Sequence, residues 1–198
     1  MCCEIHIGMI ALGLGTAAWC LFHSILALES VKKRVYGHAS QAQYRLFYNL
    51  FSVATLVFPA FFYFRADTTA LIRYGFPYSV VSGTLFFCCF MVLVYSFRNF
   101  DINGFLGLKE ERPNLVTTGI YKYSRHPMYV ASVGLLWLRD LQTRDLVVNT
   151  VFTAYLLVGA FIEEIRLIEA YGDAYRTYRT ETSMFLPLKS WWKKEGEA

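Results

Sequence analysis

Long apolar segments are the strongest constraint on the fold of this chain, and the first of them occupies residues 5–28. About 20 residues of α-helix, rising about 1.5 Å each, cross the hydrocarbon core of a bilayer. Further apolar runs follow at 46–64, 78–97 and 146–162, with a shorter one at 127–138. Hydrophobic residues make up 56% of the 198 residues, above the roughly 45–50% of a soluble domain. The sequence therefore predicts an all-α integral membrane protein with five transmembrane helices.

The polar segments between these runs predict the arrangement across the membrane. Residues 1–97 hold three helices, 98–126 a linker with turn signals at Asn103-Gly104 and Pro113-Asn114, and 127–198 a helical hairpin with a tail, all within one membrane domain. Of the 19 Lys and Arg, only four fall opposite the linker, namely Arg65, Arg73, Arg139 and Arg144. The positive-inside rule then places the N-terminus outside and the linker and C-terminus in the cytoplasm.

The first residues and the cysteines narrow the class of protein further. The start MCCEIHIGM contains an acid and no Lys or Arg, so a cleavable signal peptide is not expected. The five cysteines form no CxxC or His-bracketed pattern, and neither a disulfide framework nor a metal site is predicted. The basic residues form no compact face or motif, so we expect no nucleic-acid partner.

Residues 115–129, LVTTGIYKYSRHPMY, concentrate the polar chemistry of the chain. Pro127 suits the first position of a helix, where its missing N–H has no cost. A short connection to the next helix predicts a helical hairpin, which brings Arg125 and His126 beside Glu163 and Glu164 on one membrane face.

The chain beyond the hairpin predicts one more helix. Gly172 suits the C-terminus of the long helix, and Asp173 suits the N-cap of a surface helix that contains Tyr175 and Tyr178.

Two interpretations fit the charged cluster. In the first, Arg125 pairs with Glu163 or Glu164 as a membrane-boundary anchor, and the tyrosines are interface residues. In the second, the cluster binds a zwitterionic, partly aromatic ligand: the arginine holds a carboxylate, a glutamate holds an ammonium group, His126 holds a polar group, and tyrosine faces stabilise a soft cation. S-adenosylmethionine has all of these features, although the spacing alone does not identify it.

The motif itself is distinctive. LVTTGIYKYSRHPMY followed by EEIRLIEAYGDAYRTY closely resembles the isoprenylcysteine carboxyl methyltransferase superfamily of integral-membrane methyltransferases, over about residues 97–187. The N-terminal half, with WCLFHSILALESVKK and YRLFYNL, is similar to the branch that includes nurim, nitrite-reductase accessory membrane proteins and bacterial methanethiol S-methyltransferases.

This resemblance implies an enzyme that binds S-adenosylmethionine at the cytoplasmic face, without a Rossmann domain, and methylates a small thiol or a lipophilic, isoprenylcysteine-like acceptor among the membrane lipids. It implies catalytic and cofactor-binding groups at matching positions. The catalytic ones are Arg125, Glu163 and Glu164, and the cofactor-binding ones are Gly119, Tyr121, His126, Tyr129, Tyr175 and Tyr178.

Other hypotheses stay open from the sequence. The same motif occurs in non-catalytic or accessory membrane proteins of the nurim kind, and membrane sterol reductases carry a related motif on more helices. If the acceptor must lose a proton, Glu163, Glu164 and His126 are all candidate bases.

Overall fold

The computed structural model describes residues 2–36, 40–66, 68–98, 102–106, 108 and 115–189. Part of the predicted linker, including the Pro113-Asn114 turn signal, and the end of the predicted tail lie outside these residues. The described elements are, in order, α1 Cys2–Leu26, α2 Glu29–Tyr36, α3 Gln41–Thr55, α4 Val57–Arg65, β1 Ala70–Ile72, α5 Tyr78–Arg98, α6 Ile102–Leu106, a 3₁₀ helix Gly119–Lys122, α7 Pro127–Trp137, β2 Leu141–Gln142, α8 Thr143–Tyr171 and α9 Asp173–Glu181.

Within the described residues, four helical segments are long and apolar enough to cross a membrane. They are Ile7–Leu26, Gln41–Arg65, Tyr78–Arg98 and Thr143–Tyr171. The predicted fourth helix is α7, which has only 11 residues and at about 1.5 Å per residue spans about half of the hydrocarbon core. Of the five predicted transmembrane helices, four thus have the length and composition to cross a membrane, and α7 is too short to cross by itself.

The chain divides into two compact units. The first comprises residues 1–73, 101–112 and 140–152, and in it α1 packs against α4. A Cβ placed on Gly15 would lie 3.1 Å from a ring carbon of Phe62. The glycine therefore permits the close approach of the two helices.

A proline lies where the second membrane segment is interrupted. α3 ends at Thr55 and α4 begins at Val57, with Pro59 in its first turn. Pro59 has no N–H to donate to the carbonyl of Thr55. At the end of α3, the Leu56 N–H is shared between the carbonyls of Ser52 and Val53. This is the local tightening expected next to a proline.

Two features of the first unit differ from the sequence predictions. The turn expected at Asn103-Gly104 is part of helix α6, which packs on α3, and Arg45 donates to the Gly104 carbonyl at 3.3 Å. The strands β1 and β2 form a short antiparallel ladder in segments predicted to be connections. In both places tertiary contacts outweigh a weak local preference.

The second unit comprises residues 74–100, 113–139 and 153–198. Here α5 packs against α7, and the Ser82 hydroxyl donates to the Leu138 carbonyl at 3.0 Å. α7 also lies along α8: Trp137 Nε1 donates to Thr153 Oγ1 at 2.9 Å. At the other end of α7, Tyr129 lies against Gly159. The end of α7 therefore contacts the earlier part of α8, and the start of α7 contacts a later part. This is the antiparallel arrangement of the predicted hairpin.

The junction after α8 needs a glycine. Gly172 has a φ of +55°, a conformation that L side chains rarely adopt, and it ends α8 as predicted. The N-cap prediction for Asp173 is wrong by one position, because Gly172 is the cap and Asp173 is the first helical residue. The Asp173 carboxylate instead accepts from Arg176 at 2.9 Å, a pairing three residues along the helix.

Candidate functional site

The RHP motif lies against the segment that follows α9. Ser124 and Ser183 form an isolated parallel β-bridge. The Arg125 N–H donates to the Ser183 carbonyl at 3.0 Å, and the His126 N–H to the Met184 carbonyl at 3.1 Å. Because α7 begins at the next residue, these bonds hold the two side chains at the helix entrance.

Arg125 is bound to a carboxylate on α8. Its Nε donates to Glu164 Oε1 at 2.8 Å and its Nη2 to Glu164 Oε2 at 3.1 Å, the two-point geometry in which a guanidinium binds a carboxylate strongly. Its Nη1 donates to the carbonyl oxygens of Arg179 and Thr182. Both charged side chains are only 7% exposed. The pair is thus buried, and most of the Arg125 donors are already used.

Glu164 is the centre of a larger network. The Tyr175 hydroxyl donates to Oε1 at 2.5 Å, and Arg179 Nε lies 3.0 Å from Oε2. His126 Nε2 lies 3.0 Å from Oε1. A buried carboxylate needs such compensation, because removing a charge from water costs several kcal/mol. Two guanidinium groups, a phenol and an imidazole together supply it here.

Glu163, the preceding residue, is in a different environment. Its side chain is 44% exposed, and its Oε2 lies 3.6 Å from His126 Nδ1. That oxygen is nevertheless buried and has no hydrogen-bond partner among the described residues. Consecutive helical residues point about 100° apart, so the two carboxylates have different surroundings. His126, which is 3% exposed, lies between them.

Tyrosines on the 3₁₀ helix and on α9 lie near this cluster. The Tyr178 hydroxyl donates to the Tyr121 carbonyl at 2.5 Å. Burial raises the pKa of Tyr121 to about 12, with the negative charge of Glu163 as a second cause. Burial likewise raises the pKa of Tyr175 and Tyr178, and for Tyr175 the hydrogen bond to Glu164 adds to it. At neutral pH these phenols are therefore hydrogen-bond donors.

Tyr129 and Gly119 occupy two different places. The Tyr129 ring meets the His126 ring edge-on, with 5.3 Å between the centroids, and packs against Gly159 of α8. Gly119 opens the 3₁₀ helix with a φ of +64°, which favours glycine, and lines a groove with Arg98. The structure thus gathers the predicted site residues around Glu163 and Glu164, with Gly119 on the groove.

Two further partners in the network are Arg179 and the carbonyl groups that bind Arg125, none of which was predicted from the sequence. Arg179 lies one helical turn after Tyr175, so the spacing of four residues places both on one face of α9. That spacing could have identified the arginine. The Thr182 carbonyl has no sequence signal, because any residue there offers a carbonyl.

The two buried phenols on α9 should differ in their effect on stability. Tyr175→Phe removes a hydrogen bond to a carboxylate and should lower the free energy of unfolding by about 1.5–3 kcal/mol. Tyr178→Phe removes a bond to a neutral carbonyl, and we expect a loss of about 0.5–1.5 kcal/mol. Denaturation of both variants in detergent measures the difference, and an equal or reversed order would contradict the central place of Glu164.

Comparison with known proteins agrees with the motif. The family model for phospholipid methyltransferases matches residues 78–174. Methanethiol S-methyltransferase 1 of Bradyrhizobium diazoefficiens is 28% identical over 186 residues, covering 87% of this chain and 65% of that protein. The methanethiol S-methyltransferase of Crocosphaera subtropica is 33% identical over 108 residues, covering 50% of this chain and 42% of that protein.

A more distant relative is the protein-S-isoprenylcysteine O-methyltransferase of Schizosaccharomyces pombe, 33% identical over 78 residues, which cover 37% of this chain and 33% of that protein. The chain spans less than two thirds of the length of each of these relatives. No solved structure matches the chain. The predicted resemblance to the superfamily of membrane methyltransferases that includes the phospholipid and isoprenylcysteine methyltransferases is therefore confirmed, with the family match over residues 78–174.

Proposed function

We propose that this protein is an S-adenosylmethionine-dependent methyltransferase whose acceptor is a small thiol or a lipophilic, isoprenylcysteine-like molecule. The observation that carries the proposal is the Glu163 carboxylate. One of its oxygens is buried without a hydrogen-bond partner among the described residues, while the side chain is 44% exposed. Such an oxygen is suited to receive the ammonium group of a ligand.

The surrounding residues fit the rest of the cofactor. Tyrosine faces attract a sulfonium or stack on an adenine ring, and Tyr121 and Tyr129 are both within electrostatic reach of Glu163. His126 Nδ1 lies beside the same carboxylate and offers a polar contact. We therefore assign cofactor binding to Glu163, His126, Tyr121 and Tyr129.

Arg125 and Glu164 have a different role in this proposal. In one of the two interpretations of the sequence, Arg125 holds a ligand carboxylate. Most of its donors are instead bound to Glu164 and to backbone carbonyls, and the pairing with a glutamate is the other interpretation. We propose that the pair positions the RHP motif and α9, with Tyr175 and Arg179 as further partners on Glu164. Positioning of this kind is a large part of catalysis, because reacting groups must be held in a narrow geometry.

In this proposal, methyl transfer requires mainly that the protein bind and orient the two reactants. When bound, S-adenosylmethionine supplies an electrophilic methyl group. The residues of this chain have to orient two reactants and keep water out, and the buried side of the cluster suits that role. If an acceptor thiol must lose its proton, the Glu163 oxygen that does not receive the ammonium group is a better placed base than Glu164, since the oxygens of Glu164 are already occupied.

We also propose that α7 and α8 cross the membrane together, with the site at the cytoplasmic face and the N-terminus outside. The charge bias of the loops supports this, as does the antiparallel contact between the two helices. A reporter fused at the C-terminus that is active only in the cytoplasm should be active. Activity of a reporter confined to the outer side would reverse the orientation.

Ligand binding by the purified protein tests the proposed activity. S-adenosylhomocysteine at 100 times its dissociation constant should stabilise the wild type by about 2.7 kcal/mol. Membranes supplied with methyl-labelled S-adenosylmethionine should then label one class in a panel of methanethiol and other thiols, prenylcysteine analogues and phospholipids. Absence of both stabilisation and labelling would contradict the proposal.

A non-catalytic membrane protein is the alternative with some support, since Arg125 and Glu164 satisfy each other without any ligand. That reading predicts that the biological role survives Glu163→Gln, which leaves the Arg125–Glu164 pair intact. Methyl transfer that is present in the wild type and lost in Glu163→Gln would exclude it.

A further inference from the structure

A groove in the second unit lies outside the carboxylate cluster. It has a volume of about 510 Å³ and is lined by Tyr95, Arg98, Gly119, Ile120 and Tyr123. That volume is within the range of about 300–1,000 Å³ found for ligand sites. None of the residues around Glu164 lines it. The 3₁₀ helix contributes to both places: its Gly119 and Ile120 line the groove, and its Tyr121 is close enough to Glu163 to be affected by the carboxylate charge.

Arg98 gives this groove a positive charge. It is exposed, and its guanidinium lies 5.5 Å from the ring centroid of Tyr95. Unlike Arg125 and Arg179, which share Glu164, Arg98 is in no ion pair with another described residue. A guanidinium with free donors is suited to the oxygens of a phosphate, which it can bind at two points.

The position of Arg98 indicates where such a phosphate comes from. It is the last residue of the 21-residue apolar segment Tyr78–Arg98, so it lies where the hydrocarbon core gives way to the lipid headgroups. Tyr95 and Tyr123 are 53% and 49% exposed. Half-exposed tyrosines are typical of this same level of a bilayer. The groove therefore combines a cation, two amphipathic rings and an apolar wall formed by Ile120.

We propose that this groove binds the phosphate headgroup of an anionic phospholipid from the bilayer, as a bound lipid and not as the methyl acceptor. Arg98 binds the phosphate, and the tyrosine rings and Ile120 contact the glycerol and upper chain. Basic pockets beside membrane helices bind lipid headgroups in this way. The carboxylate cluster is unsuited to the same ligand, because Glu163 and Glu164 would repel an anion.

Native mass spectrometry of the full-length protein, exchanged from phosphatidylcholine into mixtures with phosphatidylglycerol, tests this inference. We expect one retained phosphatidylglycerol in the wild type and an affinity about fivefold to tenfold weaker in Arg98→Gln. Arg65→Gln is the matched control. Arg65 also ends an apolar segment and lies 5.8 Å from the ring centroid of Phe61, but it does not line the groove. Its removal should leave the retained lipid unchanged.

Three results would overturn the inference. Equal retention in wild type and Arg98→Gln would show that the groove does not bind the lipid. Equal losses in Arg98→Gln and Arg65→Gln would show only a general attraction of charges to the surface. The third result concerns displacement of the retained lipid. If millimolar inorganic phosphate or glycerol phosphate displaces it as effectively as phosphatidylglycerol vesicles do, the site binds a soluble anion.

Discussion

Glu164→Gln is expected to destabilise the protein by about 3–5 kcal/mol, the usual cost of breaking a buried ion pair. The substitution keeps the size of the side chain but removes the charge that compensates Arg125, which is itself 7% exposed. It also weakens the bonds from Tyr175 and Arg179. Thermal and chemical unfolding in detergent measures the loss, and labelled-methyl transfer should fall with it.

Glu163→Gln provides the comparison for this result, because it makes the same chemical change one residue away. Its carboxylate is 44% exposed and has one oxygen without a hydrogen-bond partner in the described structure, with His126 Nδ1 3.6 Å away, so less native binding is lost than at Glu164. The unliganded protein should unfold near the wild-type temperature. If both variants unfold at the wild-type temperature, Glu164 is not the centre of the network.

The same Glu163→Gln variant should, however, bind S-adenosylhomocysteine about 10- to 100-fold more weakly. A hydrogen bond to a charged group contributes about 1.5–3 kcal/mol, and each 1.4 kcal/mol is about a factor of ten in affinity. Titration of the ligand against thermal stability measures this change. Labelled-methyl transfer should fall in parallel at a fixed, subsaturating cofactor concentration.

Glu169→Gln is the control for that experiment. Glu169 is an exposed acid on the same helix, and its replacement changes the net charge by the same amount. It should leave the affinity for S-adenosylhomocysteine unchanged. Equal weakening by both substitutions would indicate a long-range charge effect, and an unchanged affinity in Glu163→Gln would remove this residue from the cofactor site.

Much of the fold could be read from the apolar pattern, because the length of an apolar helix is a direct consequence of bilayer thickness. Four of the predicted segments are membrane-length helices in the structure. Pro127 at the start of α7 and Gly172 after α8 lie where the special backbone properties of these residues place them. The ladder of β1 and β2 could not be read, since strands of three and two residues carry no alternation.

Some features of the candidate site could likewise be predicted from the sequence, and others could not. The sequence alone determined that an arginine, a histidine and two glutamates meet at one end of a helical hairpin, because motif spacing and helix length dictate it. It left the partner of Arg125 open between Glu163 and Glu164. Only the tertiary structure showed that Glu164 is the partner of Arg125 and that Arg179 also binds Glu164. Adjacent residues on a helix face different directions, and the packing of α8 decides which of them faces Arg125.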